Sequence, residues 1–525
     1  MYRFALIALA LVVYVALCTP HRDSMWVADA WEHHRAIVAL SNDLWHPPNP
    51  TYATDHPSIR YSPYSVLLAL LVRATGIDAY HILSGAAVCN TVLLTVGIWL
   101  LLAAFREQSA GWYALIIMVG LYGAVPAYAG SYALADLPWH QVNPSAFSLP
   151  LALVVWAVFW RAARSKLTVW VWIALLALCT LSVLSHPMTA PPIFIGLFAM
   201  ALLVHKVGRA RRVGYVAVLA MAVLALCLLW PWYSFARALL MRQDITFWYS
   251  ADFLKMMFQS WCLPAMIGAV CALPFRGRPL VRFALIGAVV SYGLALSAFI
   301  LHSPTLARLP MSGLVFLHLA TAVFFREARF FEYATWADRV RLLRQRELSK
   351  AATAILELGI LGLLGFCLLP QVVQVPRSAH LARAYVAPLV GQQNKQLELK
   401  DKFDRLLIPV AQRDVVLSDL LTSWPIPSSR GRIVAALHLE YFVPGQDQRR
   451  SDLQSFFDVL DDEQRFQVLR RYNVRWIVLN RLDLDEAIFA RLMEPTAVSN
   501  TVEYLTLMDA NTWMAARRAR RMGRE

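Results

Sequence analysis

Charge is what this chain has least of. Only 16% of its 525 residues are Asp, Glu, Lys or Arg, where a soluble protein carries about 25%. The shortage is uneven. Residues 1–370 hold 27 Lys and Arg and 15 Asp and Glu, or 11%, whereas residues 371–525 hold 22 and 19, or 26%. The first part is too poor in charge for an ordinary soluble domain, and the second is not. A cytosolic enzyme, a secreted disulfide scaffold and a disordered chain are excluded. Cysteine is equally informative. Its seven copies all precede residue 371 and lie in apolar runs, so a disulfide framework is not indicated and small buried hydrophobes are expected. The tail has no glycine-rich phosphate loop, and the chain shows no internal repeat.

What is present is apolar and long. A transmembrane helix needs about 20 apolar residues. Candidate spans lie at 4–19, 80–104, 112–129, 146–160, 168–185, 189–205, 213–230, 258–275, 280–301, 309–325 and 352–370. The expected fold is therefore an α-helical polytopic membrane protein with about 11 transmembrane helices. No small-x-small cleavage site follows the first run, which reads as an uncleaved span. The apolar stretch 64–72 is too short to cross and is expected to be an interfacial or re-entrant helix. Omitting it from the spans gives a consistent charge pattern. Arg106, Arg161, Arg164, Lys166, Lys206, Arg209, Arg211, Arg212, Arg276, Arg278 and the arginines of 326–350 then fall on one side, and the opposite loops 130–145 and 186–188 carry no Lys or Arg. Retention of Lys and Arg on the inner side predicts a cytoplasmic N-terminus and an extracytoplasmic residue 371–525 segment. The same rule accounts for the net charge of +15, of which +12 lies in residues 1–370, without a nucleic-acid partner.

Residues 371–525 alternate. A polar helical stretch at 388–411 and a charged one at 449–471 accompany strands at Val415–Leu417, 433–437, 476–479 and 502–507. Strands spaced by helices predict a small α/β domain. The division is thus a membrane module, 1–370, and an α/β domain, 371–525. Its end carries Arg517, Arg518, Arg520, Arg521 and Arg524, read either as a solvated tail or as a contact for anionic lipid or glycan.

The chemistry-bearing residues collect on the outer side. The first outer loop, 19–79, contains Asp23, Asp29, Glu32, Asp43 and Asp55 with His21, His33, His34, His46 and His56. Charges this close to a bilayer are costly unless paired or facing water. A helix over 29–39 would place Asp29 and His33 on one face and pair Glu32 with Arg35. The competing reading is a solvated loop with aromatic anchors. In the next outer loop Asp136 and His140 are ligand types that suit Mg²⁺ or Mn²⁺, or the ends of a capped turn. His186, His302 and Arg308 stand at span ends, and Lys255 lies in the loop 231–257. Each lone histidine also has the plain reading of a satisfied interface residue.

The run Asp29-Ala30-Trp31-Glu32-His33-His34-Arg35 resembles the first acidic motif of oligosaccharyltransferase catalytic subunits, with an aromatic residue two places after the Asp and an Arg six places after it. Asp55-His56-Pro57-Ser58-Ile59-Arg60 resembles the proline-containing stretch that follows in many members of the GT-C superfamily, whose enzymes use polyprenyl-phosphate-linked sugars. The departures are specific. The double-tryptophan-Asp motif is absent, Trp424 being followed by Pro425, and no adjacent Asp-Glu pair stands in the first loop. The resemblance implies an inverting membrane glycosyltransferase of a bacterial inner membrane, acting on the outer face on a glycan, lipid or protein acceptor. Asp29 would accept the acceptor's proton, with Asp23 in reserve; the unperturbed carboxyl titrates near ~3.9 and is ionised at neutral pH. His33, Arg35, Arg60, His186, Lys255, His302 and Arg308 would bind substrate or the departing phosphate, and Asp136 with His140 would hold a metal. The other functions in play are a lipid-linked glycan polymerase or ligase, a transporter and a non-catalytic envelope assembly protein.

Overall fold

The computed structural model describes residues 1–19, 29–122, 132–134, 137–165, 168–204, 208–240, 263–301, 303–327, 399–436, 440, 442–458, 461–493 and 498–522. Among them five helices are long and apolar enough to cross a membrane: Ala79–Phe105, Pro144–Ala163, Arg209–Leu228, Pro279–Ala298 and Leu309–Glu327. Shorter apolar helices, Tyr2–Cys18, Gly111–Gly120, Val169–Ser185, Ala190–Leu203 and Leu263–Cys271, lie at other expected span positions. The expected span at 352–370 lies outside the described residues. The chain divides into two compact units. One is Met1–Pro20, Ser84–Leu229 and Arg242–Tyr385; the other is His21–Leu83, Trp230–Met241 and Val386–Glu525. The first loop thus groups with the C-terminal segment, a division the apolar runs alone do not convey.

The first unit is helical and packs through small residues, which let backbones approach closely where lipid offers no hydrophobic drive. A Cβ on Gly196 would meet the Trp156 indole at 2.3 Å, and one on Gly287 would meet the Phe316 ring at 2.4 Å. Trp156 Nε1 donates to the Ile193 carbonyl at 3.0 Å. The hydroxyls of Ser148 and Ser182 each donate to the other's backbone carbonyl, at 3.1 and 2.9 Å. The buried Glu107 is held by Arg278 at 3.1 Å and by Arg326, and Arg278 also pairs with Glu327 at 2.8 Å. Basic residues that the sequence places in inner loops therefore neutralise two acids here.

The second unit is built on a five-stranded sheet of order β2-β1-β3-β5-β4. Its strands are β1 (Val415–Leu417), β2 (Arg432–Ile433), β3 (Val474–Asn480), β4 (Val498–Val502) and β5 (Leu505–Asp509). β1 pairs in parallel with β2 and β3, and β5 pairs antiparallel with β3 and β4. Both faces are covered, as a parallel core requires. Ile477 and Leu479 join Phe456, Phe466 and Trp513 on one face, while Trp476 and Val478 join Phe403, Leu406 and Tyr52 on the other. Three local expectations change, the expected strand 433–437 first, which is cut back to β2. The expected strand 502–507 is a hairpin, because Glu503 takes φ 53 and turns the chain. The charged stretch 449–471 is two helices, Gln446–Asp458 and Asp462–Arg471, the second capped by the Asp461 carboxylate accepting from Glu463 N–H at 2.9 Å.

The first loop is fastened to this sheet. Ile433 N–H donates to the Thr51 carbonyl at 3.0 Å, so Tyr52 lies parallel beside β2. The Tyr52 hydroxyl donates to Gln446 Oε1 at 3.2 Å and accepts from Ala436 N–H at 3.2 Å. Asn49 shapes the approach, its Oδ1 accepting from Thr51 and Tyr52 N–H and its Nδ2 donating to the His56 carbonyl. The short apolar stretch 64–72 lies in the helix Pro63–Thr75, started by Ser62 accepting from Ser65 N–H and by Pro63 in the first turn. It leaves Leu67, Leu70 and Leu71 exposed on one side.

Candidate active site

The site is built on the helix Ala30–Asn42, whose first ten residues are buried apart from Val38. Asp29 precedes the helix, and its carbonyl accepts from His33 N–H at 3.0 Å, so the expected alignment of Asp29 and His33 along the helix is present. Glu32, His33, His34 and Arg35 are all buried. A helix that buries charged groups needs partners for them, and they come from further along the chain. Arg60 is the central one. Its Nη1 lies 3.2 Å from Asp29 Oδ2 and 3.4 Å from His33 Nε2, and its Nη2 pairs with Glu32 Oε2. A guanidinium only donates, so His33 Nε2 accepts and the neutral ring carries its proton on Nδ1. The second Glu32 oxygen accepts from Trp424 Nε1 at 3.2 Å. Glu32 therefore turns to Arg60 rather than to Arg35, correcting the expected pair along the helix. Arg35 Nε instead donates to the Pro50 carbonyl at 3.1 Å.

A third carboxylate comes from the C-terminal segment. Glu440 is buried and accepts from the Ser58 hydroxyl at 3.0 and 3.1 Å. Ser428 donates to the Trp31 carbonyl at 2.8 Å. Burial opposes the charge of Arg60, but Glu32, Asp29 and Glu440 outweigh it and raise its pKa above the ordinary arginine value. Burial, followed by Glu440, raises the Tyr61 hydroxyl. Asp29 differs from its neighbours in exposure: its side chain is 28% exposed, against 4% for Glu32. Of the acids held to Arg60, Asp29 is the one a substrate can reach.

Burial, then the charges of Lys400 and Arg35, lowers His34 to about 3, from an ordinary value of 6.5. His34 is thus neutral when folded at pH 5–7. Below pH 6.5 the unfolded chain gains a proton that the folded one refuses, so stability falls as the medium acidifies from 6.5 toward 3. The slope is up to about 1.4 kcal/mol per pH unit. His34→Gln is expected to flatten the fall in melting midpoint between pH 6.5 and 5. An unchanged slope would remove His34 as its source.

The remaining expected site residues are placed differently. Asp23, Asp136, Lys255 and His302 lie outside the described residues. His140, His186 and Arg308 belong to the first unit. His140 ends the short helix Leu137–His140. His186 Nδ1 lies 2.8 Å from the Thr189 hydroxyl after the helix Val169–Ser185, and Arg308 follows the turn Pro304–Ala307. Among the described residues no group of three or more His, Cys, Asp and Glu side chains is arranged to hold a metal ion. At the first-loop cluster Asp29 and Glu32 close on a guanidinium, which takes the place a divalent cation would need, so these residues do not fit a metal.

No family profile and no curated protein matches the chain. Solved structures do match in fold. ArnT from Cupriavidus metallidurans in the apo state superposes with a TM-score of 0.54 at 12% identity, covering 96% of each chain. The same protein bound to undecaprenyl phosphate gives 0.51 at 12% identity, covering 96% of this chain and 97% of that one. An Archaeoglobus fulgidus oligosaccharyltransferase in complex with Zn and sulfate gives 0.50 at 14% identity, covering 90% of this chain and 68% of that one. These neighbours are GT-C glycosyltransferases, so the resemblance read from the first loop holds at the level of fold.

Proposed function

We propose that this chain is an integral membrane glycosyltransferase that moves a sugar from a polyprenyl-phosphate carrier to a hydroxyl acceptor on the outer face of the membrane. The observation that carries the reading is the reachable Asp29 carboxylate, fixed by Arg60 beside Glu32 and His33 in a chain of GT-C fold. The acceptor oxygen attacks the anomeric carbon, Asp29 takes its proton, and the bond from that carbon to the carrier phosphate breaks with its electrons going to phosphate. One displacement inverts the anomeric centre. Arg60 is engaged by carboxylates, so we assign it to positioning Asp29. The sequence offers Arg308, Lys255, His186 and His302 as the candidates for stabilising the phosphate, since charge develops on the leaving oxygen. The α/β domain, 371–525, lies on the outer side in this reading. Its Trp424 and Glu440 contacts supply the buried wall behind the base.

The test is chemical. Deletion in the native host is expected to remove one sugar from an envelope glycan, lipid or protein and to accumulate one polyprenyl-phosphate-linked sugar, both read by mass spectrometry. The isolated product should have inverted anomeric configuration. Retained configuration overturns the single displacement, and an unchanged lipid-linked pool overturns the transferase reading.

A further inference from the structure

The backbone turn that carries Arg60 is itself held by a side chain of the C-terminal segment. Ser58 and Glu440 are both buried. The Ser58 hydroxyl has one proton, and it points at the Glu440 carboxylate, whose oxygens lie 3.0 and 3.1 Å away. A carboxylate accepts and does not donate, so the direction of this bond is fixed. The lone pairs of the same hydroxyl oxygen are left for the Arg60 backbone N–H, which donates to it at 3.1 Å. Arg60 Nη1 then reaches Asp29 Oδ2 at 3.2 Å. Contacts thus run without a break from Glu440 through Ser58 and Arg60 to Asp29. Glu440 is fixed in turn from behind. Gln446 Oε1 accepts from Glu440 N–H at 2.7 Å and from the Tyr52 hydroxyl at 3.2 Å. Gln446 opens the helix Gln446–Asp458, which buries Leu453 and Phe456 in the core of the α/β part. The far end of the turn is held separately, by Trp230 Nε1 donating to the Tyr61 carbonyl at 2.9 Å and by the Tyr61 hydroxyl donating to the Pro48 carbonyl.

We infer that Glu440 is a positioning residue for the transfer: by fixing the Ser58 hydroxyl it sets the place of the Arg60 turn, and so the aim of Asp29. The inference rests on the transferase reading and deepens it, because it gives the C-terminal segment a part in the reaction. Aim is worth this much machinery, since a misplacement of about 1 Å at a reacting group can cost 10²-fold in rate. Glu440 also acts on Arg60 through space. Burial opposes the arginine's charge, and Glu32, Asp29 and then Glu440 outweigh it. A counter-ion needs only its charge, whereas a positioning residue needs Ser58 as well. The two roles therefore part at Ser58.

Detergent-solubilised membranes of the deletion strain are the substrate for the purified full chain, because they hold the accumulated lipid-linked sugar and its acceptor. Mass spectrometry follows the transfer, and dilution of the extract varies the donor. Glu440→Gln and Ser58→Ala are each expected to lower the saturated rate per folded molecule about tenfold or more. The half-saturating amount of donor should not move, because the contact is used only in the transition state. The double variant should be no slower than the slower single one, since both break the same chain of contacts. Losses that multiply in the double variant would make Glu440 a counter-ion alone and overturn the inference. A wild-type rate from Ser58→Ala, or a shift confined to the half-saturating amount, overturns it too. Ser58→Ala removes one hydroxyl and leaves the Trp230 contact in place, so it carries the test if Glu440→Gln misfolds. Deletion membranes that accumulate no lipid-linked sugar overturn the transferase reading itself, and this inference with it.

Discussion

Asp29→Asn is expected to lower sugar transfer by about 10²–10⁴-fold, the range for removing a positioned general base, while leaving the folded protein at wild-type abundance. The two halves of that expectation rest on different observations. Asp29 is 28% exposed and forms only one of the ion pairs of Arg60. An amide there is close in shape and leaves the Arg60 pair with the buried Glu32 in place. The helix also retains its entry, because the contact from His33 N–H is to the Asp29 backbone carbonyl. What is lost is the anionic oxygen that takes the acceptor's proton. Measured in the native host at matched protein level, the variant should reproduce the deletion: the same missing sugar and the same accumulated lipid-linked donor. A wild-type profile from Asp29→Asn, beside a defective deletion, places the base elsewhere in the chain.

The sequence exposes the local part of this site and hides the long-range part. Asp29, His33, Arg35 and Arg60 stand in one outer loop, and their density beside a membrane is visible without a fold because solitary charges there are costly. The partner of Glu32 is not visible. The spacing rule offers Arg35 three residues on, but the helix buries that whole side, and the loop turn made by Asn49 returns Arg60 to it. Glu440 and Trp424 are further still. Nothing near them in the chain marks a site, and Trp424 draws notice in the sequence only as a broken motif. The sheet shows the same division. β3 reads directly from its run of β-branched and apolar residues, whereas the β4–β5 turn rests on Glu503 in the left-handed region, which a residue of that type rarely announces. The grouping of the first loop with the C-terminal segment follows from Tyr52 lying beside β2. That is a pairing across some 380 residues, which no local pattern encodes.

Arg60→Ala should act first on the fold and only then on the chemistry. Glu32 is 4% exposed, and Arg60 is paired with it. Removing the guanidinium leaves a carboxylate in a dry setting with the Trp424 N–H on its other oxygen. Breaking a buried pair from one side costs about 3–5 kcal/mol, enough to lower the denaturation midpoint in detergent and the amount of protein in the membrane. Neutralising both partners separates the two roles. Glu32→Gln combined with Arg60→Met removes the charge at Glu32 along with its partner, and a buried pair replaced by neutral groups of similar size is often stability-neutral. The double variant is expected to regain most of the lost midpoint. Transfer should nevertheless stay at least about tenfold down, because the 3.2 Å contact that holds Asp29 is still missing. Recovery of both properties together would make Arg60 a structural counter-ion alone. Wild-type stability in Arg60→Ala itself would mean that Glu32 does not depend on this pair. The cluster is asymmetric: the buried acid needs Arg60 for the fold, and the exposed acid needs it for aim.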